Sequence, residues 1–330
     1  ASEAVRALAE LIGAPVAAFR GGRGVVAEDH PLGVSSYAAS LLWPEVDVLI
    51  GIGTRLEMPY MRWSGMMRLI DEPQPPPYLV RIDIDPAEMH RLVPHAPIVG
   101  DADVATRCLT VALQNAGRTP DATAVSSVAA AKRNARAAIQ KVQPQLAYLD
   151  VIREVLPRDA FLVPELSQTG FTSYFGYPVL EPRTYVSEGY QGTLGFGFPT
   201  ALGVKAANPD RVVVSMTGDG GFMFGVQELA TAAQERLGLV TIVFNNRAFG
   251  NVLRDQRTNF SNRVIGAALD NPDFMTLAAA FGIEAHRVAT PHALRPVLAA
   301  AIAAPGPVLI EVEVAQGSEA SPWEFIHLQR

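Results

Sequence analysis

"RVVVSMTGDGGFMF", Arg211–Phe224, is an apolar run that stops at an acid set between glycines, and "LVTIVFNN", Leu239–Asn246, is a second apolar run that stops at two amides. Between them, "GVQELATAAQERLG" reads as a helix with Val226, Leu229, Ala230, Ala233 and Leu237 on one face and Gly238 as the left-handed residue that ends it. Strand, helix, strand is a crossover joining parallel strands, so residues just past both carboxyl ends gather on one edge of the sheet. Asp219 is thereby set beside Asn245 and Asn246. A carboxylate, an amide oxygen and a free backbone carbonyl such as that of Ala248 are hard donors suited to Mg²⁺, which completes its octahedron with phosphate oxygens and water. Gly218, Gly220 and Gly221 let a diphosphate approach the backbone, and the following helix start offers N–H donors and a favourable dipole. Singly, Asp-Gly and Asn-Asn are ordinary turn residues. It is their joint βαβ setting that points to a site.

The same alternation runs outward in both directions. "VDVLIGIG" and "YLVRIDID" are strands, "APVAAF" a short buried strand, and Val5, Leu8, Ala9 and Ile12 recur at helical spacing, which predicts an open parallel sheet over roughly residues 1–115. The polar, Pro-containing "AGRTPDATAVSS" and the Ala-rich cationic run after it make 116–140 a linker and connecting helix. A second α/β unit follows over 141–330, with strands "AFLVPE", "RVVVSM", "LVTIVF" and "GPVLIEVEV". The fold class is therefore α/β, with two doubly wound parallel-sheet domains.

Composition narrows the function classes. With 330 residues, 49% of them hydrophobic, the chain can bury a large core. A net charge of -6 with no Lys/Arg block argues against a nucleic-acid partner. Apolar runs are too short to span a bilayer, and no signal peptide opens the chain. The lone Cys108 cannot form an internal disulfide, which fits a reducing, cytoplasmic setting. Six scattered histidines have no spacing that builds a metal site or triad.

"GDGGFMF…NN" resembles the thiamine diphosphate (ThDP) motif, and "GTLGFGFPTALGVKAANPDRVVVSMTGDGGF" is similar to the segment preceding it in acetolactate synthase, benzoylformate decarboxylase and their relatives. "DHPLG", "VDVLIGIGTRLE" and "RIDIDPAEMHR" resemble that family's central, Rossmann-like domain. The resemblance implies Mg²⁺ bound by the side chains of Asp219 and Asn246 and the carbonyl of Ala248. It implies a diphosphate loop at "ELSQTG" with Gln168 and Thr169 as contacts, Gly192 meeting the cofactor's 4'-amino group, Leu194 propping the cofactor in a bent shape, and a backbone N–H from Asn251. The activity implied is decarboxylation and/or carboligation of a 2-keto acid, in a homodimer or homotetramer.

Some family features are missing. The Glu that tautomerises the cofactor sits in the relatives on a separate pyrimidine-binding domain, and Glu165, Glu188 and Glu228 match no such position. With Ala1 as first residue, this leads to the expectation that the chain is part of a longer enzyme and inactive alone; a non-catalytic ThDP- or nucleotide-binding module with regulatory or assembly duties is the alternative. Asp255 falls near the place where acetolactate synthases carry a Trp, and "DHPLG" runs into "VSSYAAS" without the Gly-Met-His-Gly associated with FAD, so FAD is possible but unsupported. Arg254, Asp255 and Arg257 could face a substrate carboxylate, but a solvated surface cluster is the reading preferred. For Trp323 and Phe325, simple packing and a cover over the site are both open.

Overall fold

The computed structural model describes residues 1–63, 78–189 and 191–328. They form two compact units: Ala1–Ile139 with Pro178–Pro182 and Trp323–Arg330, and Gln140–Tyr177 with Arg183–Pro322. Every sheet in both is parallel, as the alternating pattern requires.

In the first unit, β1 (Val16–Ala17) pairs with β2 (Gly33–Val34), and β3 (Val48–Ile52), β4 (Tyr78–Asp83) and β5 (Ala96–Val99) form a three-stranded sheet in that order. β1 is only two residues long and partly exposed, not the buried strand expected of "APVAAF". The helix Val125–Ile139 buries Val128, Ala131 and Ala135 against Leu32, Val34, Ala38 and Leu42. Arg81 in β4 is 1% exposed, and its guanidinium donates to the carbonyls of Thr54 and Glu88 and to the Glu88 carboxylate, which is how a buried cation is made tolerable. Phe325 is buried with its ring edge-on to Tyr37, so the tail packs within this unit.

The second unit is built on a five-stranded sheet with order β6-β7-β8-β10-β9: β6 (Phe161–Pro164), β7 (Val213–Gly218), β8 (Val240–Asn245), β9 (Glu284–Val288) and β10 (Val308–Glu313). β8 is buried at every position, consistent with a central parallel strand covered on both faces. Phe198, Phe222 and Phe274 meet edge to face in the core beneath helix Gly197–Ala207 and the β7–β8 connection. That connection is more broken than its periodicity suggests. A single turn of α-helix, Asp219–Phe222, is followed by a 3₁₀ turn and then by Leu229–Gln234. Ala232, not Ala230, is buried there, and the left-handed residue after the helix is Arg236 at φ 49°, two residues before Gly238. Gly225 precedes the 3₁₀ turn Val226–Glu228, so the chain starts a new turn there instead of continuing one regular helix from Val226.

Candidate functional site

β7 and β8 are hydrogen-bonded neighbours with Gly218 opposite Phe244, so Asp219 and the two asparagines leave the sheet side by side. Asp219 is 2% exposed and accepts from the Asn271 amide at 2.7 Å, and the backbone N–H groups of Gly220, Arg247 and Ala248 lie close enough to pull its pKa down. Asn245 is built into the scaffold. Its Oδ1 accepts from Asn271 (3.0 Å) and Arg247 N–H (3.1 Å), and its Nδ2 donates to Glu311 (2.7 Å), which Arg287 ties to Asp273. Asn246 stands at the edge: Oδ1 accepts from Ala248 N–H at 3.0 Å and Nδ2 donates to Glu319 Oε2 at 2.5 Å. Among the described residues, no backbone N–H donates to the Ala248 carbonyl, although Ala248 is buried. A buried carbonyl without a donor is what a cation would satisfy.

The charges favour the same occupant. Burial pushes the Asp219 carboxyl above its ordinary range against the pull of its hydrogen bonds. Burial also pushes Glu319 up, Asp219 adds to this by repulsion, and only the Asn246 hydrogen bond and Arg254 oppose it. The buried Asp219 carboxylate with an amide and a carbonyl oxygen forms a hard, anionic donor set, which Mg²⁺ fits, and the partly buried Glu319 adds negative charge beside it. No group of three or more His, Cys, Asp or Glu side chains that could hold a metal occurs among the described residues, so a cation here would rely on the amide and carbonyl oxygens as well as on Asp219.

This has a consequence for stability. A carboxyl whose pKa is higher folded than unfolded binds more protons in the native state. Its stabilising effect is complete below the unfolded value, about 4 for Asp, and is lost as pH rises through the raised folded value. The cation-free chain should therefore lose part of its stability between acid and neutral pH, and Asp219→Asn should flatten that slope. Urea unfolding across this range tests it, and an unchanged slope contradicts it.

The helix Gln168–Gly176 brings its first turn to this edge, with Ser167 Oγ capping the Gly170 N–H at 3.0 Å. Thr169 is 1% exposed and its hydroxyl has no partner among the described residues. Gln168 Oε1 accepts from Arg254, which also donates to Asn251 Oδ1, so Gln168 and the helix Gly250–Asn259 are joined. Arg254 is thus not part of a solvated cluster. It is half-buried because its helix begins against Asn246: a Cβ on Gly250 would lie 2.7 Å from Asn246 Nδ2.

The glycines have a second explanation. A Cβ on Gly221 would collide with the Glu165 carboxylate and one on Gly220 with the Phe249 ring, so protein packing alone demands both; at Gly218 a Cβ would come within 3.1 Å of Ser167 Cβ. Glu165, at the end of β6, accepts from Gly195 N–H (2.5 Å), Gly197 N–H (3.1 Å) and Thr217 Oγ1 (2.9 Å), and burial raises its pKa. It ties the exposed loop carrying Gly192 and Leu194, the latter 36% exposed, to the end of β7. That loop turns at Gly195 with φ +83°, where a Cβ would press on Phe224.

The structure therefore joins Asp219, Asn246 and Ala248 in one cluster and links it to Gln168 and Asn251, while Gly192 and Leu194 lie on a separate loop. Glu319 and Asn271 carry no motif, and Glu165 stood in "ELSQTG" with no role assigned. The strand order holds the one available signal for Glu319: β10 lies beside β8, so chain leaving its end must cross the same edge, and Val314 N–H indeed donates to Asn245 O at 2.9 Å.

Comparison with known proteins agrees with this geometry. Residues 167–312 match the family described as "Thiamine pyrophosphate enzyme, C-terminal TPP binding domain", and residues 1–109 match "Thiamine pyrophosphate enzyme, central domain". The chain belongs to the thiamine pyrophosphate enzyme family and carries its central and TPP-binding domains. It is 33% identical over 340 residues (98% of this chain, 56% of the relative) to a probable acetolactate synthase large subunit of Methanocaldococcus jannaschii. It is 33% identical over 290 residues (86% and 50%) to the probable 2-ketoarginine decarboxylase AruI of Pseudomonas aeruginosa. Acetolactate synthase isozyme 1 large subunit of Escherichia coli is 30% identical over 324 residues (94% and 56%). The chain thus spans about half the length of the curated relatives it matches. No helix among the described residues is long and apolar enough to cross a membrane.

Proposed function

We propose that this chain holds ThDP and Mg²⁺ for the decarboxylation and/or carboligation of a 2-keto acid, as part of a longer, cytoplasmic, homo-oligomeric enzyme. The observation that carries this is the meeting of Asp219, Asn246 and Ala248, whose carbonyl has no backbone donor among the described residues, past the ends of two adjacent strands, with the helix start at Gln168 tied to the same edge through Arg254. The printed activities of the relatives, acetolactate synthase and 2-ketoarginine decarboxylase, support the reaction class.

Asp219, Asn246 and Ala248 would hold the cation; Gln168, Thr169 and the N–H groups opening the helices at Gln168 and Gly250, including that of Asn251, would receive the diphosphate. Gly218, Gly220 and Gly221 keep side chains off this approach, and Gly192 and Leu194 offer a backbone carbonyl and an apolar prop. Bound thiamine diphosphate supplies the nucleophilic carbon and the electron sink that loss of CO₂ from a 2-keto acid requires. The chain's own residues bind and orient; no carboxylate among the described residues is assigned to hold the proton at the pyrimidine ring, and we place that group on a pyrimidine-binding domain. FAD is not part of this proposal. The test is CO₂ release from pyruvate and larger 2-keto acids by the isolated 330-residue chain with ThDP and Mg²⁺. Binding without turnover is expected, and robust turnover contradicts the assignment of the proton-holding group to another domain.

A further inference from the structure

The chain segment after β10 contributes a partly buried carboxylate that no motif announces. Glu319 Oε2 accepts from Asn246 Nδ2 at 2.5 Å. An ionised carboxylate only accepts, and the Ala248 N–H only donates, so these two partners fix the amide of Asn246 in one orientation, with nitrogen toward Glu319 and oxygen toward the 246–248 turn beside Asp219. Turned over, the amide would set oxygen against carboxylate and NH₂ against N–H. The segment itself is held in place: Val314 N–H donates to Asn245 O, Gln316 Nε2 to Arg247 O and Ala320 N–H to Gln143 O, while Arg254 stands nearby as the countercharge.

We propose that Glu319 is a positioning residue for the cation site, fixing which end of the Asn246 side chain faces the metal. This rests on Asp219 and Asn246 being the metal-binding side chains. Partners that orient a metal ligand in this way typically contribute roughly 10- to 100-fold in metal affinity.

The test is calorimetry of Mn²⁺ binding to the full chain in the presence of ThDP. Glu319→Ala should weaken Mn²⁺ by roughly 10- to 100-fold while leaving the circular dichroism spectrum unchanged. Asn246→Asp should weaken it as well, because two carboxylates then face each other. The double variant Asn246→Asp/Glu319→Gln keeps the net charge and reverses the direction of the hydrogen bond, the glutamine amide donating to the new carboxylate, and it should recover most of the affinity lost in Asn246→Asp. A purely structural role for Glu319 predicts no such rescue. Absence of rescue, or an unchanged affinity in Glu319→Ala, overturns the inference. If Asp219→Ala also leaves Mn²⁺ binding unchanged, the metal site itself is misplaced; if Asp219→Ala abolishes binding and Glu319→Ala does not weaken it, only the role of Glu319 falls.

Discussion

Asp219→Ala is expected to abolish Mg²⁺-dependent ThDP binding while leaving the chain folded. Removing one partner from a buried charge pair costs about 3–5 kcal/mol, which corresponds to more than about a hundredfold in affinity. The unliganded fold should change far less. The substitution strips an acceptor from the Asn271 amide, but it also removes a carboxylate that burial holds in an unfavourable state. Calorimetry with ThDP and Mg²⁺, paired with urea unfolding, separates the two effects. Unchanged binding would place the metal elsewhere; loss of the folded state would make Asp219 a structural residue first.

Phe222→Ala is expected to act in the opposite sense, through the core. Phe222 is 0% exposed and packs edge-on to Phe198 and Phe274. It also ends the single helical turn that begins at Asp219. Truncating a buried Phe typically costs about 3–5 kcal/mol. Because the motif and the core share one turn of backbone, ThDP affinity should fall together with stability. Denaturant unfolding and calorimetry on the same preparation check this; a stability loss under about 1 kcal/mol would show that the aromatic cluster does not anchor the turn.

Much of this could be read from the sequence, for identifiable reasons. Continuous apolar runs ending in Asp219 and Asn246 announce parallel strands buried on both faces, and the crossover rule then places their ends together without knowledge of any side-chain contact. What the sequence concealed depends on long-range packing. Glu165 looked like a loop acid next to the motif, yet it receives two backbone N–H groups thirty or more residues away and fills the space that Gly221 leaves. Glu319 lies in a small-residue tail, and only the placement of β10 beside β8 carries it to Asn246. Arg254 looked solvated because helical periodicity does not show that its helix starts against Asn246. Gly238 resembled a helix end, but the helix had already closed at Arg236. Local propensity assigned the elements well and their exact ends less well, as is usual where tertiary contacts set the boundary.

The most direct measurement is a calorimetric titration of ThDP into the chain, first with Mg²⁺ and then with EDTA in its place. A clamp built by Asp219, Asn246 and Ala248 requires saturable binding with Mg²⁺ that disappears in EDTA. Binding of equal strength in both conditions would contradict it.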